Sequence, residues 1–431
     1  MKRLPLLALL LLIACRGREE EGVVTLELWG FGREGEVVAE MVPEFERLHP
    51  GVRVRVQQVP WTAAHEKLLT AFVGDATPDV AQIGNTWIPE LAAIGAIEPL
   101  DHRLDHRLDH RLARPGSGVS PADFFPGIWD TNVVDGHVYG IPWYVDTRLL
   151  FYRTDLLAAA GYDQIPQTWA GWREAMEKIK AHTGKNGFAI LLPVDEWQQP
   201  VIFGLQKGAV LLRPDGHGAF SEPRFREALE FYLSLYRDGL APVFGNNQVA
   251  NLYQQFAAGD FALYITGPWN IGEFRRRLPP ELQDKWSTAP VPGPDGPGVS
   301  VAGGSSLSMF RASEHKEEAW QLIQFLAEPA QQVRFYSLTG DLPAHKAAWK
   351  DPVLAGDPQA RAFWEQLQRV VPTPKVPEWE QIAMKLQEHA ETAIRGRATA
   401  TEALAALDRD VDRILEKRRF LRARQAEKGT P

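Results

Sequence analysis

Residues 24–56 read VTLELWGFGREGEVVAEMVPEFERLHPGVRVRV, and the fold class follows from the pattern of this stretch. Apolar and polar residues alternate in 24–28 and again in 52–56, with the period of a β-strand that buries one face. Between them, apolar residues recur at helical spacing over 37–48, and His-Pro-Gly at 49–51 ends the helix. Two strands that flank a helix in this way are typical of a parallel pair joined by a crossover.

The same alternation continues along the chain. Residues 65–73 show helical spacing, and 79–84 form a short apolar run, as in a buried strand. The β-α-β-α-β order predicts an α/β fold with a mostly parallel sheet covered by helices. A length of 431 residues suits two domains of ordinary size.

The composition argues against a nucleic-acid partner. The net charge is -8 and the sequence pI is about 5.8, and no long basic run occurs. Basic residues cluster only at 409–424, where Asp and Glu offset them. Hydrophobic residues make up 45% of the chain, which is enough to bury sizeable cores.

The N-terminal segment is typical of an exported bacterial lipoprotein. The first three residues include two bases, residues 4–13 are almost all Leu, Ala and Ile, and Leu-Ile-Ala-Cys at 12–15 resembles a lipobox. We therefore predict a signal peptide at 1–14, lipid attachment at Cys15 and a flexible tether at 15–22, on a periplasmic or cell-surface protein. Because the chain has no other cysteine, no disulfide forms. The alternative is a plain signal peptide with a chance cysteine.

A perfect tandem repeat, Asp-His-Arg-Leu three times, occupies residues 101–112. A helix would place His102, His106 and His110 on one face, a spacing that can chelate zinc. Balanced charges and exact repetition instead favour a surface helix lengthened by replication slippage. We expect no metal site and no cofactor.

Catalytic motifs are absent from the sequence. It contains no P-loop, no dinucleotide-binding glycine pattern in register with the first strand, no His-Glu-x-x-His and no Gly-x-Ser-x-Gly. The serines that follow Gly303 and Gly304 have no base nearby in sequence. We expect that the protein is not an enzyme. Glu34, Asp146 and Glu196 leave a glycosidase as an alternative, because the sequence supplies carboxylates but does not give the distance between them.

Tryptophan is abundant, with 14 residues. Indole faces pack against the apolar face of a sugar ring, and ligands of open α/β sheets bind beyond the carboxyl ends of strands. We therefore expect several of these indoles to line a sugar cleft, with core packing as the alternative for each one. Seven lie where a strand or motif gives way to a loop: Trp29, Trp61, Trp87, Trp143, Trp197, Trp269 and Trp379.

Six short segments recur in the order of a known family. They are GDATPDV at 74–80, YGIPWYVD at 139–146, FYRTDLL at 151–157, PQTW at 166–169, FAAGDFA at 256–262 with GPW at 267–269, and APVPG at 289–293. On these segments the chain resembles the bacterial extracellular solute-binding proteins of the maltose- and trehalose-binding type, which serve ABC importers. The resemblance covers nearly all of the chain after the tether.

This resemblance implies a two-lobe periplasmic binding protein fold, in which two α/β lobes joined by hinge crossings close on sugar in the cleft between them. The N-terminal lobe would hold residues 23–145 plus 299–345, and the C-terminal lobe 146–298 plus 346–431. It also implies a monomer that hands its sugar to ABC transporter permease subunits, with contact to the membrane only through the lipid.

The resemblance also implies which residues contact the sugar. Carried over position by position, the contacts are Glu34 with Arg33 beside it, Trp61, His65, Asn85, Trp87, Tyr144, Asp146, Trp197 with Glu196, Trp269, Gly303, Gly304, His345 and Trp379. Trp269 falls on the family's Gly-Pro-Trp stacking residue. Three of these residues also have a purely structural alternative. Glu34 would stabilise the N-terminal end of its helix, Asp146 would pair with Arg148, and Tyr144 would pack in a half-buried position.

Five residues at three places in the chain depart from the family's pattern. Asn85 and Trp87 stand where relatives often have aspartate, although an amide can still donate to and accept from a hydroxyl. Gly303 and Gly304 stand where some disaccharide binders have tryptophan, which puts that specificity in doubt. His345 stands where some relatives carry arginine.

The function predicted from these observations is a sugar-binding protein of an ABC importer. Its ligand would be a di- or oligosaccharide, a gluco-oligosaccharide with β or α linkage. The alternatives are a non-sugar solute such as a glycerophosphodiester and, less favoured, a surface glycosidase.

Overall fold

The computed structural model describes residues 22–104, 118–183, 187–249 and 251–428. The predicted signal peptide, Cys15, His106 and His110 lie outside the described residues. Among the helices within these ranges, none is long and apolar enough to cross a membrane.

The described chain alternates strands and helices from end to end. The strands are β1 Val24–Phe31, β2 Val52–Val59, β3 Val80–Gly84, β4 Val133–Val134, β5 His137–Val138, β6 Ile141–Asp146, β7 Leu149–Arg153, β8 Ile190–Leu191, β9 Leu263–Thr266, β10 Trp286–Ala289, β11 Ser300–Val301, β12 Gly303–Met309, β13 Leu342–Pro343 and β14 Val370–Val371. The helices are α1 Gly32–Leu48, α2 Trp61–Val73, α3 Ile88–Ala93, α4 Pro126–Asp130, α5 Thr154–Ala159, α6 Trp169–Thr183, α7 Gln198–Gln206, α8 Pro223–Arg237, α9 Leu252–Ala258, α10 Trp269–Arg277, α11 Lys316–Ala327, α12 Pro329–Thr339, α13 Pro352–Ala355, α14 Pro358–Leu367, α15 Trp379–Ile394, α16 Ala400–Ile414 and α17 Glu416–Lys428.

The first lobe is built on a six-stranded sheet in the order β13-β6-β12-β3-β1-β2. Strand β1 runs parallel to β2 and β3, as the alternation predicts. The expectation of a mostly parallel sheet is wrong for the other half, because β12 is antiparallel to β3 and β6, and β13 is antiparallel to β6. Strands β6, β12 and β13 come from later segments of the chain and do not continue the β-α-β series.

The second lobe is built on a four-stranded sheet in the order β10-β7-β9-β8. Strand β7 is antiparallel to both of its neighbours, and β8 is parallel to β9. Helix α14 packs against β10 and β7, while α15 and α16 pack against each other and against α8. The C-terminal helices therefore belong to the second lobe.

Two of the segments that cross between the lobes run side by side. One runs from β6 to β7, and the other runs from β10 through β11 into β12. The Thr147 hydroxyl donates to the Val301 carbonyl oxygen at 2.9 Å, and the Ser300 hydroxyl donates to the Arg148 carbonyl oxygen at 2.7 Å. These bonds hold the crossings together at the base of the space between the lobes.

The turn from β1 into α1 is tighter than the sequence suggests. Strand β1 extends to Phe31 and α1 begins at Gly32, so the helix follows the strand without an intervening loop. A Cβ on Gly30 would lie 2.6 Å from the Cα of Gly35, so this close approach needs glycine at both positions. The turn places Glu34 in the first turn of α1, beside the crossings.

The pairing of β6 with β12 also requires a glycine. Gly304 has φ +136°, and a Cβ there would lie 2.2 Å from the carbonyl oxygen of Tyr144. We expect Gly304→Ala to lower the free energy of unfolding by about 2 kcal/mol or more, because β12 must move away from β6. Urea unfolding followed by circular dichroism measures this change.

Gly51→Ala is the matched control, because no atom lies within 4 Å of a Cβ at that position. It should change the free energy of unfolding by less than about 0.5 kcal/mol. Equal stability of the two variants would contradict the requirement for glycine at position 304.

Candidate functional site

A cleft with a volume of about 560 Å³ lies between the two lobes, directly above the crossings. Both lobes and both crossing strands contribute to its wall. Its lining residues are Arg33, Glu34, Trp61, Gly84, Asn85, Thr86, Trp87, Tyr144, Asp146, Arg148, Trp197, Gln198, Trp269, Glu273, Val301, Ala302, Gly303, Gly304, Thr339, Asp341 and Glu380.

Two indoles of the first lobe form one aromatic wall. Trp61 begins α2, and Trp87 follows β3. Their ring centroids lie 5.6 Å apart at an interplanar angle of 61°, and the buried ring of Phe31 supports Trp61 edge-on at 5.3 Å. This edge-to-face contact fixes both rings and leaves apolar surface toward the cleft.

Two indoles of the second lobe face this wall. Trp197 precedes α7 and rests edge-on against Trp379, with ring centroids 5.5 Å apart. Trp269 begins α10 and is 36% exposed. The Arg148 guanidinium lies 4.6 Å from the centroid of Trp269, a cation–π contact that covers one face of the indole.

A chain of hydrogen bonds holds the carboxylate of Glu34 in place. The Gln82 side-chain amide donates to the Tyr144 hydroxyl at 2.9 Å, and that hydroxyl donates to Glu34 Oε1 at 3.2 Å. Trp61 Nε1 donates to Glu34 Oε2 at 3.2 Å. Burial raises the pKa of Glu34, while these two donors and the charge of Arg33 oppose the increase.

Asp146 and Arg148 form a partly buried ion pair at the first crossing. Arg148 Nη1 donates to Asp146 Oδ1 at 2.6 Å and to Oδ2 at 2.9 Å. The pairing read from the sequence as an alternative for Asp146 is therefore present, yet Asp146 still lines the cleft. Burial raises the pKa of nearby Glu196, and the charge of Arg148 opposes this.

Asn85 reaches the cleft with its hydrogen-bonding groups largely engaged. Its side-chain nitrogen donates to the Thr131 hydroxyl at 2.6 Å, and its side-chain oxygen accepts from the Ser306 hydroxyl at 3.1 Å. The residue is 5% exposed. The amide thus ties β12 to the 3-10 turn that carries Trp87.

The structure brings most of the predicted contacts together. Those that line the cleft are Glu34, Trp61, Asn85, Trp87, Tyr144, Asp146, Trp197, Trp269, Gly303 and Gly304. Among the other tryptophans singled out in the sequence, Trp143 is 1% exposed and packs on Phe335, and Trp29 is 7% exposed.

His345 and Trp379 are not among the residues that line the cleft. His345 Nδ1 accepts from the backbone N–H of Ala347 at 3.1 Å and caps the short 3-10 turn that follows. Trp379 is fully buried beneath Trp197, and the next residue, Glu380, reaches the cleft instead. A shift of one residue at the start of α15 rotates the side chain by about 100°.

Several lining residues carry no signal in the sequence. Arg148 was visible only as a partner of Asp146. Thr86, Gln198 and Glu380 are neighbours in sequence of predicted contacts, whereas Glu273, Thr339 and Asp341 are not.

The described residues contain no group of three or more His, Cys, Asp or Glu side chains that could hold a metal ion. His102 lies in a short 3-10 turn at 101–103, and the other histidines of the repeat fall outside the described ranges. The expectation that the repeat holds no metal therefore stays a prediction.

His65, a weaker candidate contact, pairs with an acid behind the aromatic wall. Its Nε2 lies 2.7 Å from Glu90 Oε2, and its ring lies 5.1 Å from that of Trp87. Burial lowers the pKa of His65, but the hydrogen bond and charge of Glu90, with the charges of Glu380 and Glu66, raise it above its usual value. His65 therefore supports Trp87 from behind.

Glu90→Gln should lower the pKa of His65, because it removes the two largest contributions that raise it. Histidine titration followed by NMR measures this shift. Glu66→Gln is the control, since Glu66 makes the smallest of the contributions named and should change the pKa much less. An unchanged pKa of His65 in Glu90→Gln would contradict the pairing.

Comparisons with known proteins agree with this architecture. A family model described as bacterial extracellular solute-binding protein matches residues 32–333. The solved structure of the sugar-binding protein MalE from Xanthomonas citri is 48% identical, covers 92% of this chain and 99% of its own, and has a TM-score of 0.87. That likeness confirms the two-lobe α/β fold.

Two curated relatives match at lower identity. A putative binding protein of Brucella abortus is 27% identical over 96% of this chain and 98% of its own. The galactooligosaccharide-binding protein of Bacillus subtilis is 26% identical over 88% of this chain and 86% of its own.

Proposed function

Because the chain belongs to the bacterial extracellular solute-binding proteins, we propose that it is the sugar-binding protein of an ABC importer and binds a di- or oligosaccharide between its lobes. Solute-binding proteins of this family are exported and are not enzymes, and the same is true of this chain. The structure with a TM-score of 0.87 belongs to a sugar-binding protein.

One observation carries the proposal. Trp61 and Trp87 of the first lobe and Trp197 and Trp269 of the second line one cleft of about 560 Å³. Indoles from both lobes, together with polar groups in the same wall, are suited to sugar rings, whose faces are apolar and whose edges carry hydroxyls. Four indoles favour two or more rings over a single one, and a gluco-oligosaccharide fits this arrangement.

The charges of the cleft favour a neutral ligand over a phosphodiester. Arg148 is neutralised by Asp146, which leaves Arg33 as the other lining guanidinium. The other lining carboxyls are Glu34, Asp341, Glu380 and Glu273, of which Glu273 pairs with Arg276 and Arg277. Acidic groups therefore outnumber Arg33 in the wall and disfavour an anionic phosphate, whereas carboxylates can accept from sugar hydroxyls.

A ligand held by both lobes stabilises their closure, because a ligand shifts an equilibrium by its difference in affinity for the two states. Closure would then mark the loaded protein for the permease subunits of the importer. We propose a monomer, held near the membrane by lipid at Cys15.

Isothermal titration of the mature chain from Gly22 tests the sugar site. The panel contains cellobiose, laminaribiose, maltose, trehalose, sucrose, glucose and glycerophosphocholine, and each mixture is then analysed for hydrolysis products. We expect saturable binding of one sugar class and no product. In Trp269→Ala we expect weaker binding by about 2 kcal/mol, roughly 30-fold, because one stacking surface is lost.

Trp364→Ala is the matched control, since Trp364 is 37% exposed, like Trp269, and lies outside the cleft. It should leave the affinity for sugar unchanged. Equal loss in both variants, binding of glycerophosphocholine alone, or accumulation of monosaccharide would each contradict the proposal.

Lipid attachment is tested separately in cells. Labelling with a radioactive fatty acid should mark the full-length protein, and Cys15→Ala should lose the label and leave the membrane fraction. Retention of the label in Cys15→Ala would exclude this site of acylation.

A further inference from the structure

The edge of the second-lobe sheet brings Arg148 and Trp269 together. Strand β7 begins at Leu149 and β9 ends at Thr266, and these two residues lie opposite each other in the antiparallel pairing of the strands. Arg148 therefore enters β7 at the same end of the sheet at which Gly267 leaves β9. The contact between Arg148 and Trp269 thus follows from the register of two strands within one lobe.

The indole of Trp269 packs against two groups at this edge. The Arg148 guanidinium lies 4.6 Å from the ring centroid. A Cβ on Gly267 would lie 1.9 Å from Trp269 Cζ3, so the ring lies directly against the backbone of Gly267. Trp269 is nevertheless 36% exposed and lines the cleft, so part of the indole surface stays open to a ligand.

The Arg148 guanidinium is held from the first crossing. Its Nη1 donates to both carboxylate oxygens of Asp146, at 2.6 and 2.9 Å, and the side chain is only 11% exposed. The Arg148 backbone is fixed as well, because its carbonyl oxygen accepts from the Ser300 hydroxyl. Among the described residues, the buried Nε of Arg148 has no hydrogen-bond partner. The aromatic face of Trp269 is therefore a main source of stabilisation for this cation, besides Asp146.

Resting on the proposed function, we propose that Arg148 is a positioning residue, which is held by Asp146 and fixes the indole of Trp269 in the orientation that stacks on a sugar ring. Because Arg148 and Trp269 adjoin two paired strands of the second lobe, their contact does not depend on lobe closure. An indole that is already fixed loses little conformational freedom when sugar binds, and this raises the affinity. Arg148 thus acts on sugar binding through Trp269.

The first measurement needs no sugar. The mature chain from Gly22 is labelled with fluorotryptophan, and the fluorine-19 NMR resonance of Trp269 is assigned by its absence from Trp269→Phe. Arg148→Gln removes the charge beside the ring but keeps a donor for Asp146. We expect it to shift the Trp269 resonance. An unchanged resonance would overturn the inference whether or not any sugar binds.

Lys67→Gln is the matched control, because Lys67 Nζ lies 4.5 Å from the ring centroid of Trp29, and neither residue lines the cleft. It removes the same kind of cation–π contact at another place. It should leave the Trp269 resonance and the affinity for sugar unchanged. Equal shifts of the Trp269 resonance in Lys67→Gln and Arg148→Gln would contradict a local effect of Arg148.

The second measurement is a double-mutant cycle with the sugar identified in the titration panel. Arg148→Gln should weaken binding by about threefold to tenfold, the cost of ordering one side chain on binding. In a chain that carries Trp269→Ala, the same change should alter the affinity by less than about twofold, since no indole remains to be positioned. The double variant should then lose about 30-fold, like Trp269→Ala alone, and not the roughly 100- to 300-fold of independent effects.

Arg148→Lys is the conservative variant of the cycle. It restores the cation without the planar guanidinium, so both the affinity and the Trp269 resonance should lie between those of the wild type and of Arg148→Gln. Circular dichroism checks that each variant is folded.

Wild-type affinity in Arg148→Gln would overturn the inference. So would an additive loss in the double variant, because it would mean that Arg148 contacts the sugar itself. Absence of binding to every sugar would instead overturn the proposed function, and the fluorine-19 spectra would still decide whether Arg148 fixes Trp269.

Discussion

The pairing of β6 with β12 is the contact on which the rest of the site depends. These strands come from segments more than 150 residues apart, and their register places Gly303 opposite Asp146 and Gly304 opposite Val145. The absence of side chains at both glycines lets the backbones approach closely at the base of the cleft. As a result, this pairing fixes the positions of Tyr144 and Asp146 between the lobes.

The electrostatics of the cleft follow from this close approach. Each buried charge has a partner or a reason to be neutral: Asp146 has Arg148, and Glu34 has two hydrogen-bond donors. Asp341 has no ion pair among the described residues, and burial raises the pKa of its carboxyl group. A wall that is rich in acids presents hydrogen-bond acceptors to sugar hydroxyls.

Much of the site could be read from the chain because it lies where strands end. Trp61 and Trp87 follow β2 and β3, and Trp269 follows β9 within a recognisable Gly-Pro-Trp segment. Asp341 could not be found in this way, since only the packing of α12 against the first lobe brings it into the wall of the cleft. The orientation of a side chain at a turn or in a first helical turn changes with a shift of one residue, which is why Glu380 and not Trp379 lines the cleft.

The sequence by itself determined the α/β class, the family resemblance and the aromatic character of the cleft, because periodicity and short local segments carry that information. The tertiary structure alone decided which half of the first sheet is antiparallel, which indoles are core and which face the cleft, and which carboxyls meet. These outcomes depend on the register between distant strands and on the desolvation of groups that approach from separate segments. Neither quantity is a property of any local stretch of the chain.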